Sequence, residues 1–166
     1  MRISIVKSGE TDAMREQLHI PSYCYNYAYR QCLLTGDLVV YLSDDDYFLP
    51  NAFADFVSFF AAHPTAVACY GAQDVFRWEG TWQFVGTRLA DMPAVAGSID
   101  CQLDGLQFCI RKSVLAEVKW NESKNAAQHA DGIFFESVAA RYGAIAAIPV
   151  KVSVTRRTPE SRFCPR

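Results

Sequence analysis

Asp37-Leu-Val-Val-Tyr-Leu-Ser-Asp-Asp-Asp-Tyr-Phe-Leu-Pro50 decides the reading of this 166-residue chain. Leu38 to Leu42 is short, apolar and β-branched, and Thr35-Gly36-Asp37 bounds it, which is the pattern of a buried strand. Asp44, Asp45 and Asp46 therefore sit at its C-terminal end. Three carboxylates so close repel and raise one another's pKa unless a cation or hydrogen-bond donors stand among them. In open α/β sheets that strand end is also where ligands bind. A hard divalent metal with oxygen ligands, carrying a phosphorylated substrate, is the economical explanation. The competing reading is an Asp-rich turn that caps the helix after Pro50.

Outward from this stretch, the pattern alternates between strands and helices. Arg2-Ile-Ser-Ile-Val6 reads as a strand and Ser8 to Ile20 as a polar loop. Ser22 can cap a helix from Tyr23 to Leu34 that Gly36 stops. After Pro50, a helix over Asn51 to Ala62 carries a Phe53, Phe56, Val57, Phe60 stripe that points to a core. Ala66 to Tyr70 is a second buried strand. Val75 to Trp78 and Thr81 to Val85 flank Glu79-Gly80, a hairpin signal. Leu106 to Ile110 is a strand followed by a short helix from Lys112 to Val118. Asp131 opens a helix over Gly132 to Arg141 that Gly143 closes. Ala144 to Ile148 and Val150 to Thr155 finish the chain as short strands. Alternation followed by an antiparallel insertion predicts a mixed α/β sheet in one domain, residues 1–166.

Composition narrows the function classes. Apolar residues make up 51% and charged residues 20% of the chain, which is globular composition. One core of this length buries about 70% of the unfolded surface. The net charge of −2 gives no electrostatic footprint for nucleic acid. No apolar run approaches a membrane span, and no signal-peptide pattern opens the sequence, so a cytoplasmic location is expected. The six cysteines (24, 32, 69, 101, 109, 164) include no C-x-x-C pair and read as reduced thiols. Cys69, inside an apolar run, behaves as a small buried hydrophobe. Arg156, Arg157, Arg162 and Arg166 form a basic tail, either solvated or available to a phosphate.

Asp131, in His129-Ala-Asp-Gly-Ile-Phe-Phe135, is the second candidate. It has a structural role available as an N-cap. A carboxylate at a helix start is also held ionised by backbone N–H groups and the dipole. Projecting into a cleft, it could accept a proton from a sugar hydroxyl. Glu122 and His129 are weaker candidates. Trp78, Trp82 and Trp120 read as core or hairpin packing, with an aromatic wall for an acceptor pocket as the alternative. No nucleophile motif and no Gly-rich phosphate loop occurs.

Tyr41-Leu-Ser-Asp-Asp-Asp-Tyr-Phe-Leu-Pro50 resembles the acidic metal-binding motif of family 2 GT-A glycosyltransferases. Asn26-Tyr-Ala28 and Thr35-Gly-Asp37 resemble the lead-in to that motif. Trp120-Asn-Glu-Ser123 with Asp131-Gly-Ile-Phe-Phe135 is similar to the segment that supplies the catalytic base. The resemblance covers residues 1–150 and implies a GT-A fold with inverting transfer from a nucleotide-sugar to a saccharide or other hydroxyl acceptor, assisted by Mn²⁺ or Mg²⁺. By position it implies Asp45 as the metal ligand, Asp44 on the donor ribose or metal, and Asp46 beside them. Asp131 takes the place of the general base, and Arg15, Arg156 and Arg157 those of donor contacts; Trp120 and Glu122 are the residues expected to meet the acceptor. Residues 1–70 would be the donor and metal part, 71–155 the acceptor and catalytic part, and 156–166 the basic tail.

The family begins with two further strand–helix units that hold the nucleotide base and ribose, whereas Met1 to Val6 resembles its third strand. An N-terminally truncated GT-A fold is therefore expected, with a homodimer forming through the uncovered sheet edge. The alternative is a catalytically incomplete remnant acting as a binding or interaction module. A metal phosphohydrolase of the haloacid-dehalogenase type ranks behind both, because Asp44-Asp45-Asp46-Tyr47 lacks that class's Asp-x-Asp-x-Thr arrangement.

Overall fold

The computed structural model describes residues 11–43, 45–99 and 103–159. The expected strand 2–6, Asp44, Cys101, Cys164, Arg162 and Arg166 lie outside those residues.

Two helices precede the decisive stretch. Part of the expected loop 8–20 is helical instead: α1 spans Asp12–Gln17, and Thr11 caps it by accepting from the Met14 N–H at 3.3 Å. The helix α2 spans Ile20–Arg30, earlier than expected. Pro21 belongs to its first turn, where a fixed φ and a missing N–H cost nothing. Ser22 is therefore inside the helix rather than capping it, and its hydroxyl pairs with His19 Nδ1 at 2.8 Å. Cys32, in the left-handed region at φ 54°, follows the end of the helix well before Gly36.

The acidic stretch forms β1 (Leu38–Val40), a turn, and an unexpected two-residue strand β2 (Tyr47–Phe48). The helix α3 spans Ala52–Ala62 and buries Ala52, Phe56 and Phe60 at four-residue spacing. Phe53 and Val57 from the expected stripe are exposed, so the buried face is narrower than the sequence suggests.

Two pairs of expected strands fuse. β3 runs without a break over Ala68–Trp78, and β6 over Ala146–Arg157. They pair in parallel, from Cys69 opposite Ala146 to Arg77 opposite Arg157. Gly71 faces Ile148 and Ala72 faces Lys151, so Pro149 and Val150 are bulged out of register. Pro149 has no donor to lose there, which lets β6 continue through it. The hairpin partner β4 spans Trp82–Arg88, and β5 spans Phe108–Arg111.

The sheet is mixed, in the order β1-β5-β3-β6-β2, with β4 also paired to β3. Every pairing except β3–β6 is antiparallel. Beyond β5 lies the short helix α4 (Val114–Glu117), and α5 (Ala130–Tyr142) leads into β6. The α/β class is thus as the alternation predicts. Strands of the expected donor part (β1, β2) and acceptor part (β4, β5) share one sheet, and β3 crosses the expected boundary at residue 70 without a break.

Each face of the sheet carries its own core. On one side Ala52, Phe56 and Phe60 of α3 meet Cys69, Cys109, Ile148 and Val152. Cys69 and Cys109 are directly opposite one another across β3 and β5. On the other side Phe134, Phe135 and Val138 of α5 meet Tyr70, Ala72, Phe108, Ile110 and Trp120. Phe135 stacks on Phe108 with centroids 3.6 Å apart, and Phe134 stacks on Trp120 at 4.3 Å. Stacked pairs of this kind add about 0.5–1.5 kcal/mol to plain burial.

One position ties the two long strands together. A Cβ at Gly71 would collide with Val152 Cγ1 and stand 3.0 Å from the Val150 carbonyl. Gly71→Ala forces the bulge apart, so it should destabilise the protein by about 1–3 kcal/mol in urea unfolding. A loss below about 0.5 kcal/mol would show that the β3–β6 contact yields freely.

A candidate acidic active site where two strands diverge

One edge of β3 is shared: β5 pairs with Ala68–Tyr70 and β4 with Gln73–Trp78. Between them the chain leaves the sheet and returns through a short 3₁₀ turn, Gly105–Gln107. Asp104 caps this turn reciprocally, accepting from the Leu106 N–H at 3.0 Å while its own N–H donates to Gln107 Oε1 at 3.0 Å. The Gln107 amide donates onward to the Gly71 carbonyl at 2.8 Å, replacing the strand partner missing at the divergence.

The divergence gathers charge. Arg88 at the end of β4 donates to Gln73 Oε1 at 2.9 Å and pairs with Asp104 at 3.0 Å. Its side chain is only 12% exposed, so this ion pair is shielded from solvent. Asp131 lies in the first turn of α5 and does not cap it; its Oδ2 accepts from the Gly105 N–H at 2.9 Å. Burial pushes the Asp131 carboxyl up to about 6, Asp104 adds to the rise, and the Gly105 N–H and Arg88 oppose it. Gly105 is bare for this reason, since a Cβ there would stand 3.0 Å from Asp131 Oδ2.

The acidic turn belongs to the same neighbourhood. Asp46 Oδ1 accepts from the Arg156 N–H at 2.7 Å, and Oδ2 from Thr155 Oγ1 at 3.3 Å. The Arg156 guanidinium donates to the Asp45 carbonyl. Burial pushes the Asp46 carboxyl up to about 6, against its backbone hydrogen bond, with Asp45 and Asp104 adding to the rise. Asp104 is thus the carboxylate that both Asp46 and Asp131 feel.

The remaining expected residues fall in different places. Arg15 is in α1, and its side chain lies outside the described residues. Arg157 follows Arg156 in β6 and by strand alternation turns to the opposite face. Trp120 is 3% exposed, with both Tyr41 and Phe134 against its ring, so it is core and presents no face to a sugar. Glu122 accepts from Asn26 Nδ2 and Arg30 Nη1, each at 2.8 Å, and anchors α2 to the segment before α5. Arg88 and Asp104 were not expected. The Asp-x-x-Gln spacing of Asp104 and Gln107 is the signal that could have found the second.

Among the described residues, no three His, Cys, Asp or Glu side chains gather as a ready metal cluster. Asp44 lies outside that set. The donor chemistry still fits a hard divalent cation, because Asp45 adds to the rise of the Asp46 carboxyl, a repulsion that a cation would relieve. Asp46 is already held by β6, leaving Asp45 as the described carboxylate open to such an ion. A concavity of about 310 Å³ elsewhere, lined by Tyr29, Asp37, Arg111, Lys112 and Ser113, offers less. Its Arg111 is bound to the carbonyls of Ala66 and Pro64, and its Lys112 to that of Leu34.

Both raised carboxyls set a pH dependence. Their folded values exceed the ordinary 3.8, so the native state holds extra protons between about pH 4 and pH 6. The stabilisation is complete below that window and is lost as the pH rises through it. Asp131→Asn keeps an acceptor for Gly105 without the charge, so it should raise Tm at pH 7.5 and lose that advantage toward pH 4. A Tm difference that stays constant from pH 4 to 7.5 would contradict the burial of this charge. No family model matches the chain, and no curated protein matches it.

Proposed function

We propose that this chain is a metal-dependent, inverting glycosyltransferase of GT-A type, moving a sugar from a nucleotide-sugar donor to an acceptor hydroxyl. The observation that carries the reading is the presence of two hydrogen-bonded, half-buried carboxylates: Asp131, held by the Gly105 N–H, and Asp46 of the acidic turn, held by Arg156 and Thr155; both feel the charge of Asp104. An inverting transfer needs a base on one side of the reacting carbon and positive charge on the other. Asp131 supplies the first. A carboxylate at about 6 is ionised at neutral pH and more basic than an exposed one, which suits the removal of a hydroxyl proton. The Gly105 N–H fixes one of its oxygens and so orients the other.

Asp45, with Asp44, would hold Mn²⁺ or Mg²⁺. When bound, such an ion supplies positive charge to a departing diphosphate. Asp46 has a positioning role, because its carboxylate ties the turn to β6 through the Arg156 N–H and Thr155. Arg156 braces the turn through the Asp45 carbonyl and brings a permanent cation to the same place.

Asp131→Asn should lower sugar transfer by about 10²–10⁴. Thermal stabilisation by Mn²⁺ with UDP should survive that change and disappear in Asp45→Ala. The wild-type kcat/KM should fall as the pH drops below about 6, the value to which the Asp131 carboxyl is raised. An Asp131→Asn variant with wild-type turnover would remove the base assignment. Failure of every nucleoside diphosphate to stabilise the wild-type protein with Mn²⁺ would favour the binding-module reading.

A further inference from the structure

The hairpin β3–β4 exposes large aromatic side chains that the core does not use. Trp78 is 43%, Trp82 39% and Phe84 57% exposed. They form ordered pairs: Trp78 meets Trp82 with centroids 5.2 Å apart, and Phe76 meets Phe84 at 5.5 Å. Both are directly opposed cross-strand pairs, so the four rings share one face of the hairpin.

That face is the one α5 covers further along. Ala68, Tyr70 and Ala72 of β3 pack with Phe134 and Phe135 of α5. Side chains alternate along a strand, so Phe76 and Trp78 continue on the same side. Arg156 lies opposite Phe76 on β6 and faces that side too. Its guanidinium sits 5.6 Å from the Trp82 ring centre and 5.9 Å from that of Tyr47. The same guanidinium holds the Asp45 carbonyl, and the Arg156 N–H holds Asp46. The aromatic face is therefore continuous with the acidic turn through a single side chain.

We infer that this face is a saccharide-binding surface, on which an acceptor pyranose stacks against the exposed face of Trp82 or of Trp78, two rings set edge-on at 65° to one another, while its terminal hydroxyl reaches Asp131. A pyranose presents C–H bonds on its faces and hydroxyls around its rim. It therefore gains from a half-exposed indole without giving up the hydration of its edges. The surroundings suit that division. Beside the rings, Asp74 is hydrogen-bonded by Thr87 Oγ1 at 2.6 Å and Lys151 Nζ at 2.9 Å, a polar border to an apolar strip. A solvent-facing aromatic strip with a polar border suits a recognition surface. Its continuity with the acidic turn favours a substrate over a second copy of the chain. The placement of the acceptor hydroxyl rests on the sugar-transfer reading, whereas saccharide binding itself does not.

The test is a glycan array probed with the tagged full chain, followed by titration of the retained saccharide read by tryptophan fluorescence. Wild type should retain at least one saccharide class and show a concentration-dependent change in emission. Trp82→Ala should weaken binding at least about tenfold, with Trp82→Phe restoring most of it and Tm close to wild type in both. Transfer activity in a Trp82→Ala variant with an unchanged acceptor KM would overturn the saccharide-binding surface and leave the transferase reading intact. Saccharide binding by a protein without transferase activity would do the reverse. Absence of binding to every saccharide on the array overturns the proposal. So does a dimer in gel filtration that Phe84→Asp converts to monomer, because the face would then be an interface between copies.

Discussion

The parallel pairing of β3 with β6 is the constraint on which the rest depends. It brings the end of the chain alongside its middle, and it works only because Gly71 leaves room for Val152. Two consequences follow from that single contact. β6 arrives beside the acidic turn with Thr155 and Arg156 in reach of Asp46. The other edge of β3 is left to be shared by β4 and β5, and their divergence opens the place where Asp104, Arg88 and Asp131 meet. Strands that part company are where α/β sheets accommodate ligands, since backbone groups there look for partners outside the ladder.

The electrostatics of this place are poised rather than neutral. Arg88 answers Asp104 and Arg156 braces the turn, yet burial still holds the Asp46 and Asp131 carboxyls above their ordinary range. A site concerned only with stability gains nothing from carboxylates kept short of compensation. Perturbed groups of this kind concentrate where proteins do chemistry, although ion-pair networks that serve only structure also produce them. At this site Gly105 donates its N–H to Asp131 from a position where a Cβ would stand 3.0 Å from the carboxylate oxygen.

Much of this was legible in the sequence, and the part that was not has a physical reason. The β-branched run before Asp44 announced β1, and the Phe53, Phe56, Val57, Phe60 stripe announced α3 although only Phe56 and Phe60 of it are buried, because both signals are local. The unity of β3 was hidden at Gly71-Ala72-Gln73, where small and polar residues break the alternation although all three are buried. β6 was hidden by Pro149, which is harmless only because a bulge receives it. Asp131 stood out as a carboxylate at a helix start, but its partner Gly105 is 26 residues away. Trp120 misled for the same reason: a ring that looks available in sequence is enclosed by residues brought from Tyr41 and Phe134. Local chemistry is written in the sequence, whereas enclosure is a property of the assembled sheet.

Cys69 and Cys109, opposed across β3 and β5, carry one more consequence. Burial raises both thiols, Cys109 to about 12, so neither offers an appreciable thiolate at neutral pH. Since the thiolate is the species that alkylating agents and oxidants attack, the pair is chemically silent while the sheet stays closed. Cys32 is exposed on the opposite side of that boundary. The molecule therefore carries an internal clock: the rate at which a thiol reagent labels Cys69 and Cys109 themselves measures how often β3 and β5 come apart.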